Sequence, residues 1–118
     1  MPSKKQDGFF KEREQLIHTM SKYCGQDAKR FFHLDARVYK GGALPAKTKE
    51  LIGLVASLVL RCEDCITYHL INCHDNGTSD QELAEAMTIG LIVGGSITIP
   101  HMRRAYATWD KMKKAQAQ

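Results

Sequence analysis

The chain has 118 residues, 43% of them hydrophobic, which is enough for one cored domain over 1–118 and too little for two. Seventeen basic and 13 acidic residues give a formal charge of +4. The cations at Lys4-Lys5, Lys29-Arg30, Arg103-Arg104 and Lys111 to Lys114 are scattered rather than interleaved with aromatics, so nucleic acid is not an expected partner.

The opening stretch Met1 to Asp7 is polar with no apolar run behind it, so no secretory signal is expected and the cytoplasm is the expected compartment. Phe9, Phe10, Glu14, Leu16, Ile17 and Met20 recur at helical spacing and predict a first amphipathic helix. A second is predicted from about Asp27 to Tyr39, with Phe31, Phe32, Leu34 and Val38 turned inward and Gly41-Gly42 ending it. Pro45 suits the first turn of a third helix, which Leu51, Ile52, Leu54, Val55, Leu58 and Val59 make apolar over most of its circumference, so it should be central. Its apolar run ends at Leu60, far short of the roughly 20 residues that cross a bilayer, and no membrane association is expected.

The segment from about Cys62 to Asn76 continues helically, and Asn76-Gly77 supplies a left-handed stop. Ser79 with Glu82 three residues on reads as a capping box opening a helix from Asp80 to about Val93, which Gly94-Gly95 loosens or ends. A last helix from Pro100 to about Lys114 carries Met102, Ala105, Tyr106 and Trp109 on one side. No segment alternates with period two, so the predicted fold is all-α: a single-domain bundle of about six helices. A chain this short leaves apolar surface uncovered, and an oligomer is expected.

The chemistry concentrates in the run R-C-E-D-C-I-T-Y-H from Arg61 to His69. Cysteines three apart on a helix share a face with Cα atoms about 5 Å apart, inside the window for a disulfide. In a reducing compartment such a pair is more often catalytic or metal-binding than structural. A helix N-terminus favours the thiolate, which is the attacking species. His69 lies one turn beyond Cys65 on the same face, where an imidazole can take the thiol proton, so Cys65 is the better nucleophile. Cys62 is then placed to condense with a sulfenic acid on Cys65.

Zinc is the rival reading, because C-x2-C-x3-H-x3-C-H offers Cys62, Cys65, His69, Cys73 and His74. On one straight helix Cys65 and Cys73 are about 12 Å apart at ~1.5 Å per residue, so one ion could take Cys62, Cys65 and His69 but not the full set. A packed thiol for Cys73 and a surface imidazole for His74 are the expected readings, and no metal or cofactor is predicted.

The pattern E-x11-C-x2-C-x3-H, met by Glu50, Cys62, Cys65 and His69, resembles alkylhydroperoxidase D and its relatives in the carboxymuconolactone decarboxylase superfamily. The stretch P-A-K-T-K-E-L-I-G-L and that from Glu82 through Gly94-Gly95 extend the resemblance over roughly Leu44 to Tyr106. It implies an all-helical fold assembling as homotrimers or homohexamers. It also implies a peroxidase acting on a peroxide substrate, re-reduced by a dithiol such as dihydrolipoamide. Carried over residue by residue, Cys65 is the peroxidatic cysteine, Cys62 exchanges with reductant, His69 carries the proton, and Glu50 holds His69 directly or through water.

Alkylhydroperoxidase D proper has a histidine between its cysteines, where this chain has Asp64, which cannot act as an imidazole base and repels a neighbouring thiolate. The decarboxylase branch, using Glu50 and His69 for acid/base chemistry, is the alternative enzyme class, and the cysteine pair counts against it. A redox-sensing or zinc-binding helical oligomer is the non-enzymatic alternative. Along a straight helix Glu50 and Cys62 would stand about 18 Å apart at ~1.5 Å per residue. The catalytic reading therefore requires a turn near Arg61, with two helices packed antiparallel so that Glu50 comes level with His69. Cys24 has no visible partner, His101 could line a substrate pocket or an oligomer contact or serve in a capping or surface role, Tyr68 could bound the site or pack in the core, and His18 and His33 carry no expected chemistry.

Overall fold

Helix boundaries in the computed structural model fall largely where the chain's capping and turn residues put them. It describes residues 4–117, with side chains described for residues 8–117; the side chains of the polar opening segment Met1 to Asp7 all lie outside that range. Six α-helices follow one another: α1 (Lys4–Ser21), α2 (Gln26–Val38), α3 (Ala46–Leu60), α4 (Glu63–Asp75), α5 (Asp80–Gly94) and α6 (Ile99–Ala117), with a 3-10 turn at Ser96–Thr98 before the last. No strand occurs among the described residues.

Pro45 stands just outside α3 as its N-cap, where a missing N–H costs nothing. At the other end Arg61 takes the left-handed conformation (φ 60°, ψ 41°) and its N–H turns back to the carbonyls of Leu58 and Ser57. Cys62 then caps α4, so only two residues separate the helices and the chain reverses on itself. Gly77 closes α4 at φ 81°, a value that favours glycine. Ser79 accepts from the Glu82 N–H and Glu82 reaches back to the Ser79 N–H, completing the capping box of α5.

The core lies where α3 meets α4 and α5 and where α4 meets α6. Leu54, Leu58, Leu70, Ile71, Leu83 and Met87 are fully buried there, each removing apolar area worth about 1.5–3 kcal/mol. Trp109 is buried and its indole N–H donates to Asp80 Oδ1 at 2.8 Å, tying α6 to the start of α5.

The predicted inward face of α2 is not inward. No residue of α2 is buried, and Phe31, Leu34 and Val38 are 65%, 47% and 52% exposed. The helical periodicity is present, but the described residues of one chain do not bury that stripe. Further apolar exposure occurs on α3 and α5, at Ile52, Leu60, Ile89, Ile92 and Val93. No helix is long and apolar enough to cross a membrane among the described residues.

Candidate active site

The reversal at Arg61 brings the middle of α3 against the middle of α4. Glu50, twelve residues before Cys62, lies beside His69, with Oε1 2.8 Å from Nδ1 and both side chains buried. Asn72, one turn further along α4, donates to the same oxygen at 3.4 Å. With Glu50 ionised its carboxylate can only accept, so Nδ1 carries the ring proton and Nε2 is left as the acceptor of the neutral imidazole.

Cys62 and Cys65 form a disulfide, with Cα atoms 5.3 Å apart. The Cys62 sulfur also serves as the N-cap acceptor of α4, taking the Cys65 N–H at 3.3 Å, a place filled more often by a serine or aspartate oxygen. Cys65 is exposed and Cys62 half-buried. His69 occupies the following turn, inward from the exposed sulfur. With both sulfurs in the disulfide, the alternative zinc set of Cys62, Cys65 and His69 is not assembled. Among the described residues no three His, Cys, Asp or Glu side chains are grouped to hold a metal ion.

Sequence reasoning missed Tyr39. It is the C-cap residue of α2, yet its hydroxyl lies 3.4 Å from His69 Nε2 and its ring centroid 4.9 Å from the imidazole. Gly53 makes the space: a Cβ there would stand 2.9 Å from both the Tyr39 hydroxyl and His69 Cε1. Burial, reinforced by the carboxylates of Asp35 and Glu50, pushes the Tyr39 hydroxyl above its ordinary value, so it holds its proton. The only sequence signal was its place at the end of an amphipathic helix, which does not say what it meets. Tyr68 bounds the other side of His69 edge-on at 5.1 Å, and is itself covered by Phe10 and by the Arg13 guanidinium 4.2 Å above its ring.

A second cluster clamps the first turn of α4. Arg104 donates through Nε and Nη2 to the two oxygens of Glu63 at 3.0 and 3.1 Å, and His101 Nδ1 meets the same carboxylate. The Arg104 guanidinium, more than His101, holds the Glu63 carboxyl below the usual carboxylate range. His101 is therefore part of an ion-pair cluster beside the cysteine pair. Asp64 is exposed and helps line a cavity of about 530 Å³, together with Phe9, Ile66, Arg104 and Met112.

Cys73 is fully buried, and burial together with the nearby Glu50 carboxylate pushes its thiol up to about 12. It is the packed thiol expected. His74 is not a surface imidazole: it stands edge-on to Trp109 at 5.5 Å, and its Nε2 lies 3.1 Å from Gln116. Cys24 is a half-buried free thiol, and His18 and His33 are exposed.

The family model described as the carboxymuconolactone decarboxylase family matches residues 28–112. A crystal structure of a Thermotoga maritima protein superposes with a TM-score of 0.90 at 48% identity, covering 93% of this chain and 96% of that one. A second Thermotoga maritima structure matches at 53% identity and a TM-score of 0.79, over 80% of this chain and 97% of that one. It carries the description of a carboxymuconolactone decarboxylase family protein with a possible antioxidative role. An apo Legionella pneumophila protein of the same family, 24% identical with a TM-score of 0.80 over 93% of this chain and 98% of its own, shares the fold. Among curated relatives, an uncharacterized protein of Cupriavidus necator is 30% identical over 71 residues. That match covers 60% of this chain and 63% of the relative, under two thirds of its length. Uncharacterized protein 4 in the cox locus of Paracoccus denitrificans is 27% identical over 85 residues, 72% of this chain and 77% of its own.

Proposed function

The chain belongs to the carboxymuconolactone decarboxylase family, and from that premise we propose that it is a dithiol-dependent peroxidase of alkylhydroperoxidase D type. One observation carries the reading. A buried carboxylate–imidazole pair, Glu50 and His69 at 2.8 Å, stands one helical turn from a cysteine already paired in a disulfide. Proton transfer and a two-electron sulfur cycle can then share one surface of α4.

In the reduced protein His69 takes the Cys65 proton and Glu50 stabilises the resulting imidazolium. The Cys65 thiolate attacks the distal peroxide oxygen, leaving a sulfenic acid on sulfur and an alcohol or water from the peroxide. The Cys62 thiol condenses with the sulfenic acid, water leaves, and the Cys62–Cys65 disulfide forms. A dithiol such as dihydrolipoamide, present in the cytoplasm, restores both thiols by exchange at Cys62.

The exposed apolar residues of α2, α3 and α5 favour self-association, and the resemblance to alkylhydroperoxidase D implies a homotrimer or homohexamer, which light scattering in solution would measure. Lactone decarboxylation by Glu50 and His69 needs no thiol, so it would survive replacement of both cysteines. The deciding experiment follows peroxide consumption with dihydrolipoamide as the electron donor. Wild type should turn over and Cys65→Ser should not. A fully reduced wild type that leaves peroxide untouched refutes the peroxidase.

A further inference from the structure

We propose that Tyr39 is the general acid of the peroxide step, its hydroxyl on His69 Nε2 giving a proton to the oxygen that departs when Cys65 attacks. This rests on the peroxidase reading and adds to it a group from a different helix.

The argument starts from the two ring nitrogens. Nδ1 is committed to Glu50 at 2.8 Å, so protons enter and leave the imidazole at Nε2. The atom facing Nε2 at 3.4 Å is the Tyr39 hydroxyl oxygen. At that length the contact is loose enough for a reduced Cys65 thiol to compete for Nε2, as catalytic hydrogen bonds tighten only with substrate in place.

The direction of the Tyr39 hydrogen bond depends on the ring's charge. Against a neutral ring Nε2 accepts, and Tyr39 points its proton at the imidazole. Once the ring holds the thiol proton, Nε2–H donates to the Tyr39 oxygen, and the hydroxyl proton is free to turn outward. Arrival of the proton at His69 thus presents a donor at the moment a basic oxygen is about to form.

The step balances as follows. The Cys65 thiolate attacks the distal oxygen of ROOH; the S–O bond forms, the O–O bond breaks, and two electrons pass from sulfur to the peroxide. The departing RO⁻ takes the Tyr39 proton while Tyr39 takes the proton on Nε2. The products are Cys65 sulfenic acid, ROH and a neutral His69. Burial keeps the Tyr39 hydroxyl protonated between turnovers, as a donor requires. Gly53, whose missing side chain admits Tyr39 and His69 together, fits a contact that is built rather than incidental.

The test varies the leaving group. An alkyl hydroperoxide releases a strongly basic alkoxide that needs a proton, whereas peracetic acid releases acetate, which does not. Oxidation of reduced wild type and Tyr39→Phe is timed with tert-butyl hydroperoxide and with peracetic acid, alongside iodoacetamide alkylation of Cys65. Tyr39→Phe should lose about 100-fold in rate with the alkyl hydroperoxide, the usual scale of a general acid. Its rates with peracetic acid and iodoacetamide should be little changed, which also shows the variant folded. Tyr39→His, which keeps an N–H donor, should retain more of the alkyl hydroperoxide rate than Tyr39→Phe. Equal losses with both oxidants, or none with either, overturn the role of Tyr39 alone. A wild type that reacts with neither overturns the peroxidase reading and this role with it.

Discussion

Cys73 offers a sharp test of the site's electrostatics, because the same burial that silences its thiol makes the fold sensitive to alkali. Burial and the Glu50 carboxylate push it from 9.0 up to about 12. At about pH 8 an ordinary thiol of that starting value is roughly one-tenth thiolate and Cys73 about one part in 10⁴, a ~1,000-fold suppression of alkylation before access is counted. Its folded value lies above its unfolded one, and protonation leaves it neutral. The stability from this group is therefore intact below about pH 9 and lost as pH rises toward 12, since the unfolded chain releases a proton that the native protein keeps. At ~1.36 kcal/mol per pH unit, about 2 kcal/mol should be gone by about pH 10.5. Urea unfolding at about pH 8 and 10.5, for wild type and Cys73→Ala, isolates the effect. The cavity left by alanine costs the same at both pH values and cancels in the comparison. Wild type should lose about 2 kcal/mol more than the variant over that interval. Iodoacetamide should label reduced Cys24, Cys62 and Cys65 but not Cys73. Parallel losses in the two proteins, or labelling of Cys73 as fast as Cys24, would refute the reasoning.

Gly53→Ala sets a helix-propensity gain of about 1 kcal/mol against overpacking of about 1–3 kcal/mol. Glu50 holds the His69 ring, whereas Tyr39 sits at the end of a lightly packed helix. The hydroxyl should therefore yield first, so a melting temperature within a few degrees of wild type should accompany a fall in the alkyl hydroperoxide rate. Arg61→Gly removes a left-handed conformation costing a non-glycine residue about 1–2 kcal/mol and adds about 0.5–1 kcal/mol of glycine entropy. Calorimetry should record a rise of roughly 2–4 °C. Asp64→His takes a carboxylate away from two thiols and should raise the rate of peroxide reduction in the dihydrolipoamide assay; an unchanged or lower rate would mean that Asp64 does not hold the reaction back.

What could be read from the chain was local and periodic. The Ser79–Glu82 capping box, the stop at Asn76-Gly77 and the buried stripe of α3 each follow from residues a few positions apart. The turn at Arg61 was less direct, demanded by the need to bring Glu50 to His69 rather than by any turn residue, since arginine has no preference for the left-handed region. What escaped depends on which surfaces meet. The stripe of Phe31, Leu34 and Val38 has the periodicity of a core face yet stays exposed among the described residues. Tyr39 reaches an imidazole 30 positions away and Glu63 an arginine 41 positions away, pairings with no periodic trace. His74 differs from the surface histidine expected because α6 folds Trp109 across it.

The glycine against the imidazole extends what can be recognised in other chains. Glu50, Gly53, Cys62, Cys65 and His69 spell E-x2-G-x8-C-x2-C-x3-H. The added position is a missing side chain whose absence leaves room at Nε2. Where a related chain carries alanine or larger at that place, a phenol cannot seat on the ring as it does here, and the imidazole must find another neighbour or face solvent. A short text pattern thus sorts family members by how their histidine is backed, without locating the tyrosine, which enters from the end of a separate helix.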